Sequence, residues 1–307
     1  MKNGAKPDRP DGSPDDFKPT AGFRHPSKIL KSLKAKHPFR FRAGLSQHFL
    51  IEPGILDRIT GAVGAKPGDL VLEVGAGAGF LTERLLATGA KVVAVEVDPG
   101  MVKLLKSHIG FNPRLTVIEG DILKLDMKDV LDSQGARSCL VAGNLPYNIT
   151  SPALFHLLGV EGDREWRGRA SAMVFTVQRE VGVRMAAGPG TRDYGSLSVA
   201  VAYATKCENL FGVSPECFVP RPKVESVVVR LKPVPPRLDV ERERYFLKVV
   251  RAAFGQRRKT ILNAISVLAG DKAQAAALLA RAGIDGSRRG ETLGTEEFIR
   301  LARAGTV

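Results

Sequence analysis

The 307-residue sequence is poor in the residues that organise a metal centre or a disulfide framework: it has three cysteines, Cys139, Cys207 and Cys217, at no metal-binding spacing. They suit a reducing compartment and read as three small half-buried side chains, and no metal is expected. No apolar run approaches the roughly 18 residues of a membrane-spanning helix, so no membrane partner is expected. The first 20 residues lack an apolar core and carry four aspartates, Asp8, Asp11, Asp15 and Asp16. Neither a secretory signal nor an organelle transit peptide is therefore expected, and the protein is placed in the cytoplasm. Internal repeats are missing too. Hydrophobic residues at 44% and charged residues at 25% are ordinary for a globular chain, and the length allows one large domain and a small one.

What the chain does have is positive charge, unevenly placed. Of the net +14, residues 1–42 hold 11 Lys/Arg against 4 Asp, residues 43–239 hold 22 basic against 21 acidic, and residues 240–307 hold 13 against 7. A nearly neutral middle between two basic flanks points to segments that meet a polyanion. For the N-terminal flank taken alone, a solvated tail is the alternative.

Residues 1–38 are rich in Pro, Lys, Gly and Asp with little apolar periodicity, so 1–40 reads as a disordered basic extension, with one short basic helix over Pro26–Lys36. From Gly44 onward, short apolar runs at 69–74, 91–97, 115–119, 139–143 and 172–178 alternate with helical stretches at 81–88, 99–108 and 150–158. That alternation predicts an α/β fold with a parallel, doubly wound sheet. Residues 196–203 fit helix and strand equally, and 226–231 alternate as a late strand. Lys232-Pro-Val-Pro-Pro236 reads as a linker. Residues 240–307 carry helical periodicity and no strand signal. The expected organisation is the extension (1–40), a sheet domain (41–233) and a small all-helical domain (240–307).

Glu73-Val-Gly-Ala-Gly-Ala-Gly79 follows the first strand and precedes a helix. Its glycines, Gly75 and Gly77 foremost, let the backbone turn tightly and approach a ligand. A dinucleotide loop would place glycine where Phe80 stands, so NAD is disfavoured without being excluded. Glu96 closes the second strand, where an acid can accept both hydroxyl hydrogens of a ribose. Asp121, after the third strand, can accept from an adenine amine or simply cap a helix. Loop and acids lie at the mouths of three successive strands, where open α/β sheets bind ligands.

Asn144-Leu-Pro-Tyr147 follows the fourth strand. By itself it is a turn after a strand. Beside that crevice it suits methyl transfer to an exocyclic adenine amine. Such an amine is a poor nucleophile because its lone pair is delocalised, and hydrogen-bond acceptors let it pyramidalise. The Asn144 side-chain oxygen is one acceptor and the Leu145 carbonyl a second. Pro146 fixes the chain, and Tyr147 offers a ring for the base. The target adenine must be unpaired or flipped out.

Five segments together resemble the ribosomal RNA adenine dimethyltransferase family: Gln47-His-Phe-Leu50, the glycine loop, Asn144-Leu-Pro-Tyr147, Phe218-Val-Pro-Arg-Pro-Lys-Val224 and Arg251-Ala-Ala-Phe-Gly-Gln-Arg-Arg-Lys259. The likeness runs from about Gly44 to the C-terminus. It implies a Rossmann-like class I methyltransferase sheet with a small all-helical C-terminal domain, and S-adenosyl-L-methionine as cofactor. It implies dimethylation of two adjacent adenosines in the 3′-terminal hairpin loop of small-subunit (16S) rRNA, consuming four cofactor molecules, and a late checkpoint role in ribosome assembly on the pre-30S particle by a monomer. By position, His48 and Leu50 would join Gly75, Gly77, Glu96, Asp121 and Asn144 around the cofactor, and Phe218 would face the base opposite Tyr147. Many relatives carry Asn where this chain has His48, for which capping or packing is the alternative. Arg221 and Lys223 of the fourth segment are assigned to RNA. So are Arg257, Arg258 and Lys259, read on a helix of the small domain, where three consecutive residues cannot all face one way. The rival readings are a macrolide-resistance-type methyltransferase of large-subunit rRNA, a non-catalytic RNA-binding factor and, more distantly, an NAD oxidoreductase.

Overall fold

Burial on both faces is what makes five apolar runs line up in parallel. The computed structural model describes residues 23–36, 47–160 and 163–305. Within them, β2 (Leu70–Val74), β3 (Lys91–Glu96), β4 (Leu115–Glu119), β5 (Cys139–Asn144) and β6 (Ala170–Gln178) form the parallel part of a seven-stranded sheet. Its order is β4-β3-β2-β5-β6-β9-β7, where β9 (Ser226–Pro233) runs antiparallel to both β6 and β7 (Thr205–Val213). Strand order reverses at β2, which pairs with β3 on one side and β5 on the other, so a crevice opens there at the carboxyl ends of the strands. A separate two-stranded ladder joins β1 (Phe49–Leu50) to β8 (Phe218–Val219).

Side chains alternate across this sheet with the period of a strand. Val71, Val92, Ala94 and Ala142 face a layer built from α1 (Pro26–Lys36), α2 (Pro53–Val63), α3 (Phe80–Ala87) and α4 (Pro99–Ile109). Leu72, Val93, Val141 and Phe175 face α5 (Met127–Ser133), α6 (Thr150–Leu157), α7 (Arg164–Arg169) and α9 (Ser196–Ala204), with α8 (Arg179–Ala186) at the same layer's edge. Fully buried Trp166 of α7 donates its indole N–H to the Leu157 carbonyl at 2.8 Å.

Several outcomes differ from the expectations above. Residues 26–36 form α1, the short basic helix expected there, but it is packed rather than part of a disordered extension: its Ile29, Leu30 and Leu33 are buried against the sheet domain. The rest of 1–40, namely 1–22 and 37–40, lies outside the described residues. Residues 196–203, ambiguous by periodicity, are helical: α9 is buried on nearly every side and so shows no polar stripe. β7 is absent from the pattern because it is an edge strand with Lys206, Glu208 and Asn209 among its residues. β9 runs two residues into the expected linker, since Pro233 sits at a strand end where its missing N–H costs little. No helix among the described residues is long and apolar enough to cross a membrane.

The C-terminal region is four helices, α10 (Val240–Gly255), α11 (Ile261–Ala269), α12 (Lys272–Ala282) and α13 (Thr295–Ala304). Its helices share one apolar core with the sheet domain, and Phe246 of α10 packs on Tyr203 of α9 with ring centroids 4.5 Å apart. Fully buried Glu243 of α10 accepts from Arg167 at 2.6 Å and Arg164 at 3.2 Å. Removing one partner of a buried pair strands the other charge. Glu243→Ala should therefore lower unfolding free energy by about 3–5 kcal/mol, read as a shifted urea midpoint.

Candidate active site

The crevice is assembled by backbone geometry before any side chain enters it. The Gly75 N–H donates to the Val95 carbonyl at 2.9 Å and the Ala76 N–H to the same oxygen at 3.2 Å, so the loop after β2 is laid across the end of β3. Gly75 and Gly77 hold φ of +72° and +55°, the left-handed region that favours glycine. A Cβ on Gly77 would meet the Phe49 ring at 2.9 Å, and one on Gly75 would meet Pro146 at 3.4 Å. These two glycines thus keep open the approach between the loop, the Gln47–Leu50 segment and the Asn144–Tyr147 segment.

Two acids stand behind the loop. Glu96 accepts from the Gly77 N–H at 2.8 Å through one oxygen and from the Asp98 N–H at 2.9 Å through the other. Burial raises its pKa, and the two backbone N–H bonds hold it back down. Glu73 is 1% exposed, and burial pushes its carboxyl up to about 8 despite the Thr82 hydroxyl donating to it at 2.6 Å. It is therefore mostly protonated at neutral pH. Asp121 lines the same crevice while one of its oxygens caps the following 3₁₀ turn through the Leu123 N–H at 3.1 Å, so its capping and lining roles coexist.

At the end of β5, Asn144 donates from Nδ2 to the His48 carbonyl at 2.8 Å. Its Oδ1 is buried and accepts no hydrogen bond among the described residues. The Leu145 N–H donates to the Thr176 carbonyl at 3.1 Å, pinning the turn to β6. Tyr147 shares a hydrogen bond with the Ser226 hydroxyl at 2.8 Å, and burial raises its phenol, keeping it neutral. His48 stacks on Tyr147 with centroids 5.2 Å apart and planes 28° from parallel, and its Nδ1–H donates to the Pro220 carbonyl at 2.7 Å. His48 and Leu50 line the crevice beside Gly75, Gly77 and Glu96.

Two expected placements need correction. Phe218 does not line the crevice in this structure: paired with Leu50 in the β1–β8 ladder, its ring is 2% exposed and buried in the apolar layer, and the ring against Tyr147 is that of His48. The run 256–259 is not on a helix but in the turn after α10. Within it, Arg257 is engaged internally, bonding the Arg192 and Tyr194 carbonyls at 3.2 and 3.1 Å and pairing with Glu291 at 3.1 Å. Arg258 and Lys259 are exposed, as is Lys223, whereas exposed Arg221 pairs with Glu216. Site residues not singled out from sequence are Glu73, Gln47, Asp98 and Ser226. Glu73 and Gln47 open the two segments already recognised. Gln47 donates to buried Asp98 at 3.0 Å, a link across 51 residues that no local pattern announces.

Sheet order, reversed β9 and crevice position define a class I methyltransferase. The chain belongs to the ribosomal RNA adenine dimethylase family, whose model matches residues 38–304. It is therefore a methyltransferase of ribosomal RNA adenine. Ribosomal RNA small subunit methyltransferase A of Alkaliphilus oremlandii is 41% identical over 90% of this chain and 95% of its own. The protein of that name from Geobacter sulfurreducens is 43% identical over 86% and 95%. The crystal structure of a dimethyladenosine transferase from Plasmodium falciparum superposes with a TM-score of 0.64 at 27% identity, covering 81% of this chain and 94% of that one. The 23S rRNA methyltransferase ErmE superposes at 0.59 and 24% identity over 83% and 98%, a likeness of fold.

Because folding raises the Glu73 pKa above its ordinary 4.5, the stability this group contributes is full below that value and is lost as pH rises towards about 8. Glu73→Gln keeps an acceptor for Thr82 without the charge. Relative to that variant, the parent should lose stability steadily between about pH 5 and pH 8, measured by urea unfolding; parallel curves would refute the buried neutral acid.

Proposed function

We propose that this chain uses S-adenosyl-L-methionine to dimethylate the exocyclic amines of two adjacent adenosines in the 3′-terminal hairpin loop of small-subunit rRNA. It acts as a cytoplasmic monomer on the pre-30S particle during ribosome biogenesis. Residues 41–233 form the methyltransferase unit and 240–307 the RNA-binding unit. The observation that carries the reading is the buried, unpaired Oδ1 of Asn144 at the end of β5, an acceptor that has lost its water and awaits a donor.

The crevice fits the cofactor by its chemistry. Gly75 and Gly77 leave a cradle that a Cβ would fill. Glu96 suits ribose hydroxyls and Asp121 an adenine amine, with His48 and Leu50 closing the near wall. The bound cofactor supplies an electrophilic methyl group on a sulfonium. The protein's own work is to present the amine. Asn144 Oδ1, and the Leu145 carbonyl beside it, accept the amine hydrogens and favour the developing positive charge. Pro146 and the Leu145–Thr176 bond keep those acceptors fixed. Tyr147, neutral and tethered by Ser226, gives the base a face to stack on. Phe218 reaches the base only if the β1–β8 ladder yields. Arg221, Lys223, Arg258 and Lys259 meet phosphates, and Arg257 braces the turn that presents the last two.

Asn144→Ala should cut methyl transfer to unmethylated small subunits by about 10²-fold or more while cofactor binding by calorimetry is largely kept. Undiminished transfer would remove Asn144 from the mechanism. With the parent protein, purified small and large subunits are compared as substrates, and methylation of the large subunit alone would replace this reading with the macrolide-resistance type.

A further inference from the structure

α1 and α4 lie against each other, and neither helix contains an acidic residue. Their inner faces are apolar: Ile29, Leu30 and Leu33 of α1 share one buried cluster with Met101, Leu104 and Leu105 of α4. Lys28 and Lys31 on the outer face of α1 are exposed, as is Arg24 just before the helix; on α4, Lys103 and Lys106 are exposed likewise. None of the five forms an ion pair among the described residues. Glu83 of α3, which reaches α4 at His108, lies 3.5 Å from both His108 and Arg84. Asp98, which caps α4, is 3% exposed and turned inward. The ridge starts at the crevice, because α4 follows directly on Glu96 and its Met101 lines that cavity. It also stands apart from the basic turn of the helical domain, and α1 precedes the 38–304 stretch matched by the family.

We propose that the α1–α4 ridge is a second phosphate-binding surface, on which the backbone of the RNA strand flanking the target adenosine lies. Four uncompensated lysines on two packed helices, with Arg24 just ahead of α1, suit a line of phosphates better than a carboxylate partner, and burial of the α1 apolar stripe holds the helix against α4 in advance. This rests on the RNA reading above and adds where the strand runs.

The test is Lys28→Ala/Lys31→Ala/Lys103→Ala/Lys106→Ala, with an all-arginine version as the conservative control. Binding to unmethylated small subunits is measured across a salt series. The slope of log affinity against log salt should fall in magnitude by about 2–3, and affinity at physiological salt should drop about tenfold or more. The arginine version should retain the parent slope, and cofactor affinity should not change. A quadruple variant with the parent slope, correctly folded by circular dichroism, overturns the ridge. Vesicles of anionic lipid are the second probe: parent-like RNA binding with lost vesicle binding would reassign the ridge to a membrane surface. Failure of the RNA reading itself is distinguishable, since the parent protein would then show no salt-dependent binding to subunits at all.

Discussion

The hydrogen bond from the Asn144 amide to the His48 carbonyl is the contact on which the active crevice depends. It joins the end of the central strand to a segment 96 residues earlier in the chain. It uses the donor half of the side chain on the protein itself and leaves the acceptor half buried and unpaired. A buried oxygen without a partner costs stability, and here it stands where an amine must be held. The same His48 reaches the other way, through Nδ1 to Pro220, so one residue couples the segment before β1, the β5 turn and the segment after β8. The two-residue β1–β8 ladder lies between the His48 and Pro220 ends of this link.

Behind that acceptor the site manages negative charge by burial. Desolvation is the largest effect at both Glu73 and Glu96; the neighbouring carboxylates, Glu96 for Glu73 and Asp98 for Glu96, raise the cost of ionisation only secondarily. The two groups are then driven apart by their partners. Glu96 accepts two backbone N–H groups, which offset part of the burial that raises its pKa, while Glu73 has one hydroxyl donor and stays mostly protonated. The two acids occupy neighbouring strand ends, and Glu96 is the one that holds the glycine loop through Gly77.

Much of this was readable in the chain. The five parallel strands announce themselves as apolar runs because a doubly covered strand has no polar face to hide the signal. The glycine loop, Glu96, Asp121 and Asn144 are legible because each sits at a strand end, and strand ends in this topology converge. What escaped the sequence has a common cause, dependence on partners distant in the chain. β7 carries charge because one edge is wet. α9 has no stripe because it is surrounded. Phe218 turns inward because its ladder partner is Leu50, and Arg257 is consumed by two carbonyls of the 192–194 loop. α1 was expected as an isolated basic helix, and only its packing shows why it is ordered: an apolar stripe of three residues matched to α4.

A packed basic helix beside a nearly neutral sheet domain bears on how the protein meets a polyanion. Between residues 43 and 239 acidic and basic residues almost balance, 21 against 22, so the fold around the crevice has little net field of its own. Attraction must come from where unpaired cations are placed. Most arginines near the surface are already committed, Arg179 to Glu225, Arg221 to Glu216, Arg237 to Glu296 and Arg257 to Glu291. Such pairs cancel at a distance and steer nothing. The lysines of α1 and α4 and the Arg258–Lys259 turn are among the cations without an ion pair among the described residues, and they stand on different elements. The basic flanks thus supply register that the neutral core cannot, and the core supplies the acceptor geometry that charge alone cannot.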